Sequence, residues 1–217
     1  MQKKALVSDF DGTITKKDFF WIVVDELLTP EDVKPWQLYL KGEITHIEAL
    51  RRIFAKIRLT PEEFHDFILS MQIQDGFLET IDFCSKNGID FFIVSAGADY
   101  YIKLILEHNN LLNKVTLFSN KSIYCQNKGL QILPADEQAQ FYSYNYGINK
   151  KTVVESIMQK YHPCIFAGDG GPDIEAAQTA NYVFARERLL ELCEELNIKA
   201  TKFDSYCDIL NYLRNSK

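Results

Sequence analysis

Three apolar runs in this chain stop in the same way. "KALVSDFDGT", "DFFIVSAG" and "PCIFAGDGGPD" each pass from branched and aromatic residues directly into small or acidic ones. Short apolar runs bounded by charge and glycine read as buried strands. Between them the period turns helical: "FLETIDFCSKNG" ends on Gly88, "ADYYIKLILEHN" and "KKTVVESIMQKY" follow, and Pro172 opens "PDIEAAQTA". Strands alternating with helices predict an α/β fold, a Rossmann-like parallel sheet with helices on both faces. In such a sheet ligands bind beyond the carboxyl ends of the strands. The pattern therefore brings Asp9, Asp11, Ser95, Gly97, Asp169 and Asp173 to one edge.

The chain from 16 to 75 departs from that alternation. Phe19, Ile22, Val23 and Leu27 recur at helical spacing behind Asp18. "LTPED" and "LTPEEF" each set a capping Thr before Pro and acids, predicting helix starts near residues 30 and 61. In "THIEALRRIF", Thr45 and Glu48 have capping-box spacing. The expected organisation is a catalytic core over 1–15 and 76–217 with an all-helical cap, 16–75, inserted above its active edge. "SIYCQNKGLQIL" adds a hairpin around Asn127 to Gly129. A chain of 217 residues suits one domain carrying such an insertion.

A formal net charge of −6 with no long basic run argues against a nucleic-acid partner, which needs clustered Lys and Arg. No stretch approaches the ~18 apolar residues that span a membrane. Two lysines ahead of only about four apolar residues fall short of a signal-peptide core, so a cytoplasmic setting is expected. Cys84, Cys125, Cys164, Cys193 and Cys207 are odd in number, widely spaced and without C-x-x-C, which predicts reduced thiols rather than disulfides or zinc. Nothing in the sequence sets an oligomeric state.

Converging carboxylates repel one another and raise their own pKa values. A hard divalent cation relieves this, and oxygen-only ligands favour Mg²⁺ over zinc. An ionised Asp can attack phosphorus, and a second carboxyl two residues later lies on the same face of an extended segment. That second group can protonate a leaving alkoxide and then deprotonate water. The expected partner is a small phosphorylated metabolite. Taken alone, Asp9 and Asp11 also suit a solvated turn at a strand end, and Ser95 a simple turn residue.

"DFDGT" after a strand, "SAG" after another, a lysine heading a helix and "GDGGPD" stand in the order of the four motifs of the haloacid dehalogenase superfamily phosphatases, which the chain resembles. The resemblance implies Asp9 as nucleophile and Asp11 as general acid/base. It implies phosphate binding by Ser95, Ala96, Gly97 and Lys150, and Mg²⁺ held by Asp9, Asp11 (through its carbonyl), Asp169 and Asp173, the last either ligating or orienting waters. Lys150, just at the helix start, is favoured over Lys151.

The helical insertion resembles the C1-type caps of phosphoserine-phosphatase-like members. Asp18 falls where those enzymes place an acid for the substrate's ammonium, though it also suits a helix cap. Ile53 falls where they place an arginine for the carboxylate, and an apolar residue there cannot pair one. "DFDGTIT", "SAGADYYI", the hairpin and the Tyr-rich loop resemble instead the methionine-salvage phosphatases acting on 2-hydroxy-3-keto-5-methylthiopentenyl-1-phosphate. Phosphocholine/phosphoethanolamine phosphatases are that branch's relatives, and a non-catalytic phosphometabolite-binding regulator is the reading from another class. Phe19, Phe20 and Trp21 are expected to pack within the cap; Tyr142, Tyr144 and Tyr146 either line a pocket or form a half-exposed strand.

Overall fold

The computed structural model describes residues 3–215; Met1, Gln2, Ser216 and Lys217, at the ends of the core as delimited above, lie outside it. Strands β1 (Lys3–Ser8), β2 (Ile89–Ala98) and β3 (Val115–Asn120) join β8 (Tyr161–Gly168), β9 (Tyr182–Ala185) and β10 (Thr201–Lys202) in one six-stranded sheet, ordered β10-β9-β8-β1-β2-β3. Every pairing in it is parallel. The crossovers run through α5 (Phe77–Lys86), α6 (Asp99–His108), α7 (Lys150–Met158), α8 (Ile174–Thr179), α9 (Glu187–Glu195) and, at the end, α10 (Tyr206–Asn215).

Both faces of the sheet are covered, as parallel sheets require. Leu6, Phe91, Ile93 and Ile165 pack on one side, while Ala5, Val7, Phe92, Val94, Cys164 and Phe166 pack on the other. This alternation is the two-residue period of a strand. The register sets Ser8 opposite Ile93 and Ala167, so Asp9, Ser95 and Asp169 emerge within two residues of one line. Strand β2 continues through "SAG" to Ala98, with a break in its pairing to β3 between Val94 and Ala98.

The insertion carries α1 (Phe19–Leu27), α2 (Lys34–Leu40), α3 (His46–Phe54) and α4 (Pro61–Leu69). Its two connections pair with each other: Thr15 bridges Ile73, Lys16 N–H donates to the Gln72 carbonyl (2.8 Å), and Gln74 N–H to that of Ile14 (2.8 Å). Thr60 caps α4 as expected and forms a full capping box with Glu63. Only half of one forms at Thr45, Glu48 N–H donating to Thr45 Oγ1 (3.3 Å), because the Glu48 carboxylate turns to Arg52 (2.7 Å). At "LTPED" no helix forms. Thr29 and Asp32 close a turn, Thr29 Oγ1 donating to Asp32 Oδ2 (2.6 Å), and α2 begins only at Lys34. Pro35 explains this, because in a helix begun near residue 30 its ring would meet the carbonyl of Glu31 and its missing N–H would break the ladder.

The hairpin of β4 (Ser122–Cys125) and β5 (Gly129–Ile132) is antiparallel and sits against the insertion. Tyr124 stacks on Phe64 (4.0 Å between centroids) and donates to the Leu59 carbonyl at 2.5 Å. Arg51 donates to the carbonyls of Ile132 (3.3 Å) and Leu133 (3.1 Å). A second ribbon, β6 (Tyr142–Ser143) with β7 (Gly147–Ile148), leads into α7. One apolar cluster runs from Leu6 and Phe10 on the sheet to Phe19, Phe54 and Ile68 above it. All five cysteines are free thiols.

Candidate active site

β1 ends at Ser8, and Asp9 N–H still donates across to the Ala167 carbonyl (2.9 Å), which pins the next side chain at the sheet edge. Asp9 Oδ1 accepts from Phe10 N–H (2.7 Å) and from Lys150 Nζ (2.7 Å). Oδ2 receives no hydrogen bond from the described residues and remains free to act. Lys150, the first residue of α7 behind its Asn149 cap, is 4% exposed and also donates to Asp173 Oδ1 (2.6 Å). Lys151, by contrast, points to Glu155 at 4.0 Å on the outside of the helix.

Asp173 uses its other oxygen to accept from Asp169 N–H (3.1 Å) and Gly170 N–H (3.0 Å). Asp169 Oδ1 accepts from Thr13 Oγ1 (2.6 Å). Asp9, Asp169 and Asp173 each offer an oxygen within 4.8 Å of the others. Gly12, at φ 72°, has no alternative here: a Cβ would lie 2.4 Å from Asp169 Oδ2.

Asp11 Oδ2 accepts from Tyr101 Oη (2.5 Å) and Ser95 Oγ (3.3 Å), and its Oδ1 from Phe19 N–H (3.3 Å). Ser95 Oγ also accepts from Gly97 N–H (2.9 Å). Asp18 caps α1 by accepting from Phe20 N–H (2.7 Å), and it also borders the same cavity. The cavity measures about 110 Å³, with Asp9, Asp11, Ser95, Lys150 and Asp169 at its base and Asp18 beside an aromatic wall. Phe20, Trp21 and Trp36 build that wall, with Phe20 and Trp36 4.3 Å apart. Trp21 packs edge-on against Phe20 (4.8 Å between centroids) and, 48% exposed, also lines the cavity.

Burial raises the pKa values of the acids first of all. Asp9 stands well above the usual carboxylate range through desolvation and repulsion from Asp173, with Lys150 opposing. Asp11 is raised by burial against the pull of its Tyr101 bond. Asp169 rises to about 7 through burial and Asp173, and Asp18 to about 8 through burial and Asp11. Burial alone would lower Lys150, but Asp173 and Asp9 overcome it and hold the ammonium charged. Crowded oxygen donors, short of one positive charge, fit a hard divalent cation.

Tyr101, Trp36 and His46 belong to this site and escaped the sequence reading. The "DYYI" helical pattern could have flagged one buried tyrosine, but not its reach to Asp11. His46 lines the cavity, its Nδ1 is buried without a partner, and burial with Lys150 lowers it to about 4, leaving the ring neutral. Ile53 is fully buried in the cap interior. Tyr142 and Tyr144 border a separate groove with Glu43 and Arg51, and Tyr146 packs on His46 (5.2 Å), so none of the three reaches the acids' cavity.

A parallel sheet presenting an Asp-x-Asp pair, a serine loop, a buried lysine and further acids at one edge defines a phosphatase of the haloacid dehalogenase type. The chain belongs to the family described as "Putative Phosphatase", whose model matches residues 4–205. It is 30% identical to the 2-hydroxy-3-keto-5-methylthiopentenyl-1-phosphate phosphatase of Bacillus mycoides, over 95% of this chain and 94% of that one. The protein of the same name from Bacillus cereus matches at 30% over the same shares. In structure, a phospho-aspartyl intermediate analogue of phosphoserine phosphatase superposes with a TM-score of 0.70 at 22% identity, covering 98% of this chain and 99% of that one. A substrate-bound phosphoserine phosphatase complex gives 0.70 at 21% identity over the same shares. These two similarities concern the fold. No helix among the described residues is long and apolar enough to cross a membrane.

Proposed function

We propose that the chain is a cytoplasmic, Mg²⁺-dependent phosphatase that hydrolyses 2-hydroxy-3-keto-5-methylthiopentenyl-1-phosphate through an aspartyl-phosphate on Asp9. The observation that carries the chemistry is the asymmetry of Asp9, whose Oδ1 is held by Lys150 and Phe10 while Oδ2 is left free. In the first step Asp9 Oδ2 bonds to phosphorus, the phosphorus–alkoxide bond breaks, and Asp11 gives its proton to the alkoxide. In the second, water bonds to phosphorus, its proton passes to Asp11, and the bond to Asp9 breaks to release inorganic phosphate. Ser95, the amides of Ala96 and Gly97, and Lys150 hold the transferring group.

Asp9, Asp169 and the Asp11 carbonyl would hold Mg²⁺, with Asp173, which offers an oxygen within 4.8 Å of those of Asp9 and Asp169, ligating it or orienting its waters. The ion supplies charge neutralisation for a phosphate dianion among acids.

The wall above the acids supports the choice of substrate. It is apolar and aromatic, which suits a methylthio tail, and Asp18 and neutral His46 can hydrogen-bond hydroxyl and keto groups. No Lys or Arg from the cap borders the cavity, so a substrate carboxylate, as in phosphoserine, would lack a partner. A second reading follows from Asp18 beside Phe20, Trp21 and Trp36, since an acid with aromatic faces also suits the ammonium of phosphocholine or phosphoethanolamine.

Phosphate release from the three classes, with and without Mg²⁺ and with Asp9→Asn as control, tests this. The salvage ester should be turned over fastest and phosphoserine slowest, and only with Mg²⁺. A preference for phosphocholine would install the second reading. No release above the Asp9→Asn control from any ester would leave a regulator that binds phosphometabolites.

A further inference from the structure

One hydroxyl in the site has no role in the steps above. Tyr101 is 1% exposed, and its Oη lies 2.5 Å from Asp11 Oδ2. Its ring stacks on Phe19 with centroids 4.0 Å apart and planes 18° from parallel. The phenol therefore has little freedom to turn away. Phe19 is also the residue whose N–H reaches Asp11 Oδ1 at 3.3 Å, so core helix α6 and cap helix α1 grip the same carboxyl from two sides. Even the loop beside it is shaped to admit the phenol. A Cβ on Gly97 would lie 1.9 Å from Tyr101 Oη and 2.7 Å from Asp11 Oδ2.

From this geometry we infer that Tyr101 is a positioning residue for Asp11, holding its carboxyl by Oδ2 so that the transferable proton resides on Oδ1. The inference rests on the reading of Asp11 as general acid/base. A phenol carries its proton at neutral pH and can give that hydrogen to a carboxylate oxygen. Ser95 Oγ, at 3.3 Å, faces the same Oδ2. The oxygen toward the motif of Ser95 and Gly97 is thus engaged by hydroxyls, and the oxygen toward the cap has only one long amide contact. The leaving alcohol sits under the cap, which is where a proton on Oδ1 is needed. A carboxyl free to rotate would spend part of its time presenting the wrong oxygen, and mispositioned acids lose much of their contribution.

Tyr101→Phe keeps the ring stacked on Phe19 and deletes only the hydroxyl. The readout is kcat/KM, which reports the steps up to loss of the alcohol and leaves out the shared hydrolysis of the aspartyl-phosphate, for an alkyl phosphate against p-nitrophenyl phosphate, whose phenolate leaves without a proton. Expected for Tyr101→Phe is a roughly ten- to hundredfold loss on the alkyl ester, part of the 10²–10⁴ that general acids provide. The loss in kcat/KM on the nitrophenyl ester should be under about threefold. Asp11→Asn run alongside separates the two layers. If Asp11→Asn shows the leaving-group dependence and Tyr101→Phe slows both esters equally or neither, the positioning role is overturned while the acid/base reading stands. If Asp11→Asn lacks that dependence, the underlying reading fails first. Tyr101→Leu, which removes ring and hydroxyl together, should slow both esters; a Tyr101→Leu variant matching wild type on both would likewise refute the inference.

Discussion

The sheet edge and the cap wall are built from opposite materials. At the edge, four carboxyls and one lysine are held by bonds of 2.5–3.3 Å, and charge decides every position. Above it, Phe20, Trp21, Trp36, Leu50 and Phe54 are placed by packing, and the polar groups Asp18 and His46 stand singly among them. The contrast teaches that reaction and selection are separately adjustable here. The edge tolerates no substitution without moving a charge, whereas the wall can change shape while the chemistry below stays intact.

The sharpest way to break this comparison is at the lysines of α7. Lys150→Ala removes the one cation between Asp9 and Asp173 and should lower kcat on the order of 10²–10³-fold. Lys151→Ala loses a 4.0 Å surface contact and should stay within about twofold. Equal losses in steady-state assays would mean that charge is not localised as described.

Next comes stability without a cation. Between about pH 6.5 and about pH 8 the folded chain retains protons on Asp169 (about 7) and Asp18 (about 8) that an unfolded chain, near 3.8, has released. Since the native state binds more protons, stability in chelator should fall as pH rises through that window. His46, lowered to about 4, acts in the opposite sense but only below about 6.5. Saturating Mg²⁺ at a hundred times its Kd should restore about 2.7 kcal/mol and several degrees of melting temperature. Asp169→Asn should flatten the pH slope and abolish the Mg²⁺ shift in a thermal melt; a Mg²⁺ shift surviving in that variant would move the cation elsewhere.

The smallest effect belongs to the cap. Tyr124→Phe deletes the bond to the Leu59 carbonyl and should cost about 1 kcal/mol. Amide exchange should quicken in α4 while β1 and β8 stay protected. Uniform exchange across both regions would show that hairpin and cap are not joined as a unit.

The same division governs what the sequence made legible. Strand alternation and small or acidic strand ends located Asp9, Asp11, Ser95 and Asp169, because a parallel sheet offers only one edge to them. The choice of Lys150 over Lys151 came from the resemblance, whose motif lysine sits at a helix start. Tyr101, His46 and Trp36 were not legible, since their reach depends on how four helices seat on the sheet, and no local period encodes that. "LTPED" misled for a local reason: the stop signal, Pro35, stood five residues beyond the start signal, Pro30. Trp21's place at the cavity, beside its packing on Phe20, was not legible because a helical period says which residues share a face, not which face meets a cavity.

The central place of β1 has a consequence for synthesis. The strand that leads into Asp9 pairs, among the described residues, only with β2 and β8, at residues 89–98 and 161–168. Made before both, it has no such neighbour until some eighty residues later and no second one until about a hundred and fifty later, at roughly 5–20 residues per second. Through those seconds an apolar strand waits with both edges unpaired, so the cap helices, made next and rich in local contacts, are the first partners able to shelter it.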